Sequence, residues 1–138
     1  MAQVERSTSQ VNLQRTIIVG LGGTGAEVIC RLRRLIIDRF GSFDALPIVK
    51  FLYIDTDSDW INKITTEVEQ DIRLPKAEFV DAQVPDATAL YQGIQDGNYP
   101  NYRWVTLERL KTFKNVTKGA GTIRQLGRLC FWQHQNDI

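Results

Sequence analysis

The chain has 138 residues, room for one domain, and 43% of them are hydrophobic against 24% charged, the balance of a protein that can build an ordinary core. Its 17 lysines and arginines nearly cancel 16 acids, so no global charge draws it to nucleic acid or to a membrane surface. The opening MAQVERSTSQ lacks the apolar centre of a signal peptide, and no run approaches the length of a membrane span. Cys30 and Cys130 lie a hundred positions apart with no ligand spacing. They read as buried thiols of a cytoplasmic protein rather than as a disulfide or a metal site.

Residues 1–10 read as a flexible leader, and 11–138 as one folded unit. The first strand is expected over 11–19, centred on Ile17, Ile18 and Val19. From Gly25 the period changes. Ala26, Ile29, Leu32, Ile36 and Phe40 recur three or four apart, which predicts a helix of about four turns with one buried side. Gly41 ends it and Pro47 closes the connection. Ile48 to Ile54 is apolar and aromatic except for Lys50, as suits an interior strand covered on both faces. Strand, helix, strand predicts a right-handed crossover in an α/β fold, a Rossmann-like parallel sheet with flanking helices.

Further along, Pro75, Pro85 and Pro100 break the pattern into short pieces. A brief helix is expected from Asp86 to Gln95. Val105, Leu107, Leu110 and Phe113 suggest another, and Ile123, Leu126 and Cys130 share one side of a last helix. Only two strands are expected. Two arginine groups, Arg31, Arg33 and Arg34, then Arg124 and Arg128, are either ordinary helix surface or include a residue near a phosphate. His134 has no partners in sequence for a metal.

The stretch GLGGTG, Gly20 to Gly25, follows the first strand and opens the first helix, the context that a G-x-G-x-x-G turn requires. With no side chain at Gly22 or Gly23, the segment Leu21 to Thr24 can bring several amides to an anion, and the helix adds its free first-turn N–H groups and partial positive charge. The Thr24 hydroxyl is a further donor. The alternative use of these glycines is close packing of strand on helix. A Walker A loop is excluded, because Ala26 and Glu27 stand where its lysine and hydroxyl residue belong.

The second strand ends in DTDSD, Asp55 to Asp59, at the edge where an α/β sheet places its ligand. One acid would serve the ribose of a dinucleotide, but the cluster suggests Mg2+ between carboxylate and phosphate, with Asp55 and Asp57 as its residues. A plain capped turn, with Thr56 or Asp57 as the cap, is the other reading. Near the end, KGAGTIRQLGR repeats the design, with Gly119, Ala120 and Gly121 ahead of an amphipathic helix.

These three blocks resemble the tubulin/FtsZ superfamily, and most closely its bacterial tubulin-like members. GLGGTG is similar to the first glycine loop of FtsZ, IDTDSD to its N-T-D loop, and GAGTIRQLGR to its third loop and following helix. The resemblance implies a GTPase-type domain that binds GTP or GDP with Mg2+. It implies nucleotide contacts at Gly20, Gly22, Gly23, Thr24 and Gly25, at Asp55, Thr56 and Asp57, and at Gly119, Ala120, Gly121 and Thr122. Asp55 and Asp57 would serve the metal, and no catalytic residue is assigned.

The family's G-G-G-T-G-[ST]-G loop does not occur in these 138 residues. Nor do the later acids that, in this superfamily, complete hydrolysis on a neighbouring subunit. The expectation is therefore an incomplete tubulin/FtsZ-type domain with little or no hydrolysis by itself. It would self-associate or associate with the remaining part of the domain, through apolar surface around Trp104, Phe131 and Trp132. Two alternatives stay open: an adenylating-enzyme-like or dinucleotide-binding Rossmann module, and a non-catalytic assembly or scaffold protein.

Overall fold

Short, nearly continuous apolar runs on either side of a period-3.6 stripe produce the first half of the fold. In the computed structural model, which describes residues 14–138, β1 (Thr16–Leu21) leads directly into α1 (Gly22–Phe40), and β2 (Val49–Asp55) follows. The leader, and residues 11–13 of the expected first strand, lie outside the described residues. The helix begins at Gly22 rather than Gly25, so the second half of the glycine turn is the first turn of α1. Gly41 stops it as expected, in the left-handed region (φ 81°), with its amide donating to the Ile37 carbonyl at 2.8 Å.

β1 and β2 pair in parallel from Thr16 opposite Val49 to Leu21 opposite Ile54. A third strand corrects the expectation of two. β3 (Phe79–Asp81) pairs in parallel with β2, Tyr53 opposite Phe79, giving the order β1-β2-β3. It has three residues, of which Val80 alone is buried, too short for any period to show.

The remaining elements are helical. A single turn α2 (Ser58–Asn62) follows β2, and α3 (Ala87–Gln95), α4 (Leu107–Leu110) and α5 (Arg124–Gln133) follow β3. α3 is capped by Asp86, whose carboxylate accepts from the Thr88 and Ala89 amides. The helix expected around Val105 to Phe113 shrinks to the four residues of α4. Among the described residues, no helix is long and apolar enough to cross a membrane.

Two cores result. α1 lays Ala26 and Ile29 on Phe51 and Tyr53 of β2, with Ile61, Ile64 and Leu74 closing the rim. The second gathers Leu90 and Tyr91 of α3, Leu110 of α4, and Leu126, Leu129 and Cys130 of α5. A small cluster of Ile54, Val80 and Ala82 covers part of the opposite sheet face. On β1 that face is open: Ile17, Val19 and Leu21, two apart and on one side, are 70%, 52% and 63% exposed. Phe131 and Trp132 are exposed as expected, but Trp104 is not, since it packs half-buried against the second core.

The first arginine group is structural in two of its members. Arg33 is buried, donates to the Ile72 and Arg73 carbonyls at 2.9 and 2.8 Å, and pairs with Glu78 at 2.7 Å. Its guanidinium stacks 4.0 Å over Phe43. Arg34 pairs with Glu69.

Candidate functional site

The glycines of the first turn divide their work. A Cβ on Gly25 would lie 2.6 Å from the Gly20 carbonyl carbon and 2.8 Å from its Cα, and one on Gly20 would lie 2.5 Å from Ile29 Cδ1 and 2.9 Å from the Gly25 oxygen. These two let α1 press onto β1. A Cβ on Gly23 would lie 2.6 Å from the Trp60 ring, so Gly23 makes room for α2. Gly22 differs. It has φ +66° with nothing within 4 Å of a built Cβ, and it lines a cleft. Thr24 is exposed. Leu21 occupies the N-cap position of α1 and provides no side-chain cap, which leaves the first-turn amides to an outside acceptor.

The acidic end of β2 is more committed than its sequence suggests. The Asp55 carboxylate is buried. Its Oδ1 accepts from the Thr56 amide at 2.7 Å and the Asp57 amide at 3.1 Å, and its Oδ2 accepts from the Tyr53 hydroxyl. Tyr53 sits two residues earlier on the same face of β2. Burial, and then this carboxylate, push its phenol well above the ordinary value. Three donors fix the carboxylate in place, so Asp55 braces the turn. Asp57 is the N-cap of α2, its Oδ1 accepting from the Asp59 amide at 2.9 Å, the capped turn that was one of the two readings. Among the described residues, no three His, Cys, Asp or Glu side chains gather as a metal-binding group.

The second glycine turn is tied to this acidic turn by backbone. Asp57 and Lys118 form an antiparallel bridge, the Ser58 amide donates to the Thr117 carbonyl at 3.1 Å, and the Gly119 amide donates to the Thr56 carbonyl at 3.4 Å. Lys118 pairs with Asp59. Left-handed angles at Gly119 (φ 85°), Gly121 (φ 56°) and Thr122 (φ 64°) then turn the chain into α5. The Gly119 amide is thereby used, while no acceptor among the described residues takes those of Ala120 and Gly121.

The three segments meet around one cleft of about 460 Å³, walled by Leu21, Gly22, Ile54, Asp55, Thr56, Ala82, Ala120, Gly127, Arg128 and Phe131. It opens at the carboxyl ends of the parallel strands. Of the residues expected from sequence, Gly22, Asp55, Thr56 and Ala120 are on its wall. Gly20, Gly23, Thr24, Gly25, Asp57, Gly119, Gly121 and Thr122 lie in the same turns but off the wall. Sequence reasoning missed Tyr53 and Trp60 as supports. The two-residue spacing of Tyr53 from Asp55 was the available signal, and Trp60 offered none. The tail histidine is also placed: His134 Nδ1 meets Asp137 at 3.0 Å and Nε2 the Gln83 carbonyl at 2.9 Å.

Comparison with curated proteins finds no match, and neither does comparison with solved structures. The sequence profile of the family described as "Tubulin like" matches residues 17–138 without interruption. That span begins in β1 and takes in all three turns of the cleft, and the chain therefore belongs to the tubulin-like family.

Proposed function

We propose that the cleft binds the phosphates of a guanine nucleotide, GTP or GDP, with little or no hydrolysis by this chain by itself. The observation that carries the reading is convergence. Three turns distant in sequence close on one cleft, where an uncapped 19-residue helix begins. Amides at such a terminus and its partial positive charge favour an anion. The base is taken as guanine on family membership. Mg2+ fits the donor set without a dedicated cage, since this ion is held by one or two carboxylates together with phosphate oxygens and water. Asp57, at the edge of the cleft, is the carboxylate better suited to it, because both oxygens of Asp55 accept hydrogen bonds whereas only the Oδ1 of Asp57 does among the described residues.

Calorimetric titration with GTP, GDP and ATP, in Mg2+ and in EDTA, tests the reading. The expected result is measurable binding of the guanine nucleotides, strengthened by Mg2+, and its loss in Gly22→Val with helix content preserved. Unchanged affinity in Gly22→Val would remove the first turn from the site. No binding of any nucleotide by the unaltered chain would end the proposal.

A further inference from the structure

Among the described residues, Arg128 is the one cation on the wall of the cleft. Lys118, beside the second glycine turn, is committed to Asp59. Arg128 has no carboxylate within ion-pair distance among the described residues. Its guanidinium lies 4.1 Å over the ring of Trp104, and Trp104 is itself packed against the second core. A cation held on an aromatic face keeps its charge and its donors while losing some freedom to swing away. Gly127 brings this part of α5 close to the second turn, since a Cβ there would sit 3.6 Å from the Ala120 methyl.

The charge balance of the wall makes this residue decisive. Among the described residues, Asp55 is the one carboxylate on the wall. Its negative charge is fixed by three donors and opposes any anionic ligand. Arg128 offsets it. Remove that guanidinium and the side chains of the wall carry net negative charge, leaving backbone amides as the source of attraction. Coulomb energy scales with ligand charge, so the loss grows from diphosphate to triphosphate. The planar fork also suits paired phosphate oxygens.

We infer that Arg128 is a specificity-determining residue: it meets the polyphosphate and makes the cleft favour a nucleoside triphosphate over the diphosphate. The inference rests on the nucleotide reading above. The test is titration of GTP and GDP, with Mg2+, into the unaltered chain, Arg128→Gln and Arg128→Lys. Arg128 is exposed, and unfolding midpoints check that the variants keep the fold. The expected result is tighter binding of GTP than of GDP by the unaltered chain. Arg128→Gln should weaken GTP ~10-fold or more, as for loss of a charge-assisted hydrogen bond, and weaken GDP less. Arg128→Lys, which keeps the charge without the fork, should fall between. Equal losses for both nucleotides would overturn the inference. Unaltered affinities in Arg128→Gln would overturn it and leave the nucleotide reading standing. Failure of the unaltered chain to bind either nucleotide would sink both.

Discussion

The two glycine turns look alike in sequence, but apart from Gly22, whose φ is also left-handed, their glycines meet different physical needs. In the first, Gly20 and Gly25 sit where a Cβ would strike backbone or a core side chain within 3 Å, and their worth is the room they leave. In the second, Gly121 has nothing within 4 Å of a built Cβ and Gly119 only the end of Asp57 at 3.9 Å. Their worth is a left-handed φ. The first turn is thus held by packing of α1 on β1, and the second by backbone bonds to the acidic turn. Two turns that border one cleft therefore fail by different routes, and substitutions can tell them apart.

The largest effect is expected at Gly25. Alanine there gains up to ~1 kcal/mol of helix propensity, but its Cβ meets Gly20 carbon atoms at 2.6 and 2.8 Å, both backbone, so no side chain can rotate away. Overpacking of this kind costs about 1–3 kcal/mol and occasionally more. Gly25→Ala should lose about 2 kcal/mol net by urea denaturation, the upper end of that cost less the propensity gain, because both atoms met are backbone. Gly121→Ala should lose about 1 kcal/mol through its left-handed angle, with no clash. Equal losses at the two positions would erase the distinction between a glycine kept for room and one kept for conformation.

That distinction is also where the sequence stops being legible. α1, β2 and α3 are readable because long periods and local caps announce them, Asp86 ahead of α3 being an example. The family is readable because three short blocks keep their spelling. A glycine's spelling does not say which of its two properties is used, so the wall residue Gly22 could not be separated from its packed neighbours. Nor could Asp57 be assigned between cap and metal residue, since an aspartate serves both. β3 carries one buried residue and no period. The stitching of Ser58 to Thr117 and Asp57 to Lys118 joins positions with no local signal between them, so the meeting of the turns was an expectation from resemblance, and Trp60 beneath Gly23 was not foreseen.

The helices behind the turns sharpen the contrast through their cysteines. Cys30 on α1 is half-buried beside Arg31 and Lys63. Burial raises its thiol, while Arg33 and Lys63 pull it back. Cys130 on α5 is buried, and burial pushes its thiol up from 9.0 to about 11. A raised folded value means that the stabilisation is fully present below pH 9 and is lost as pH rises through the folded value. Between pH 9 and 11 the unfolded thiol ionises while the folded one keeps its proton, so stability should fall by on the order of 1 kcal/mol per pH unit. Unfolding free energies measured across this window should flatten in Cys130→Ala, whatever that variant loses at neutral pH. An equal slope in both proteins would show that Cys130 does not carry the alkaline loss.

The smallest effect, and the most pointed, belongs to Thr122. It is the one described non-glycine residue with positive φ, at 64°, and a β-branched side chain is poorly suited to that region. Left-handed backbone costs a residue with a Cβ about 1–2 kcal/mol. The Thr122 side chain is exposed, and no hydrogen bond to its hydroxyl offsets that cost among the described residues. Thr122→Gly should relieve the strain, while the extra freedom of glycine in the unfolded chain takes back roughly 0.5–1 kcal/mol. The net expectation is a gain of about 0.5 kcal/mol by urea denaturation, from the difference of these two terms. The turn would then hold its path through three glycines instead of two glycines and a strained threonine. If the threonine is retained to stiffen the amides of Ala120 and Gly121, the more stable variant should bind GTP less tightly than the unaltered chain, because a looser loop loses more freedom on meeting phosphate. A variant that is less stable would contradict the strain argument, since it would mean that the threonine side chain contributes more than its backbone angle costs.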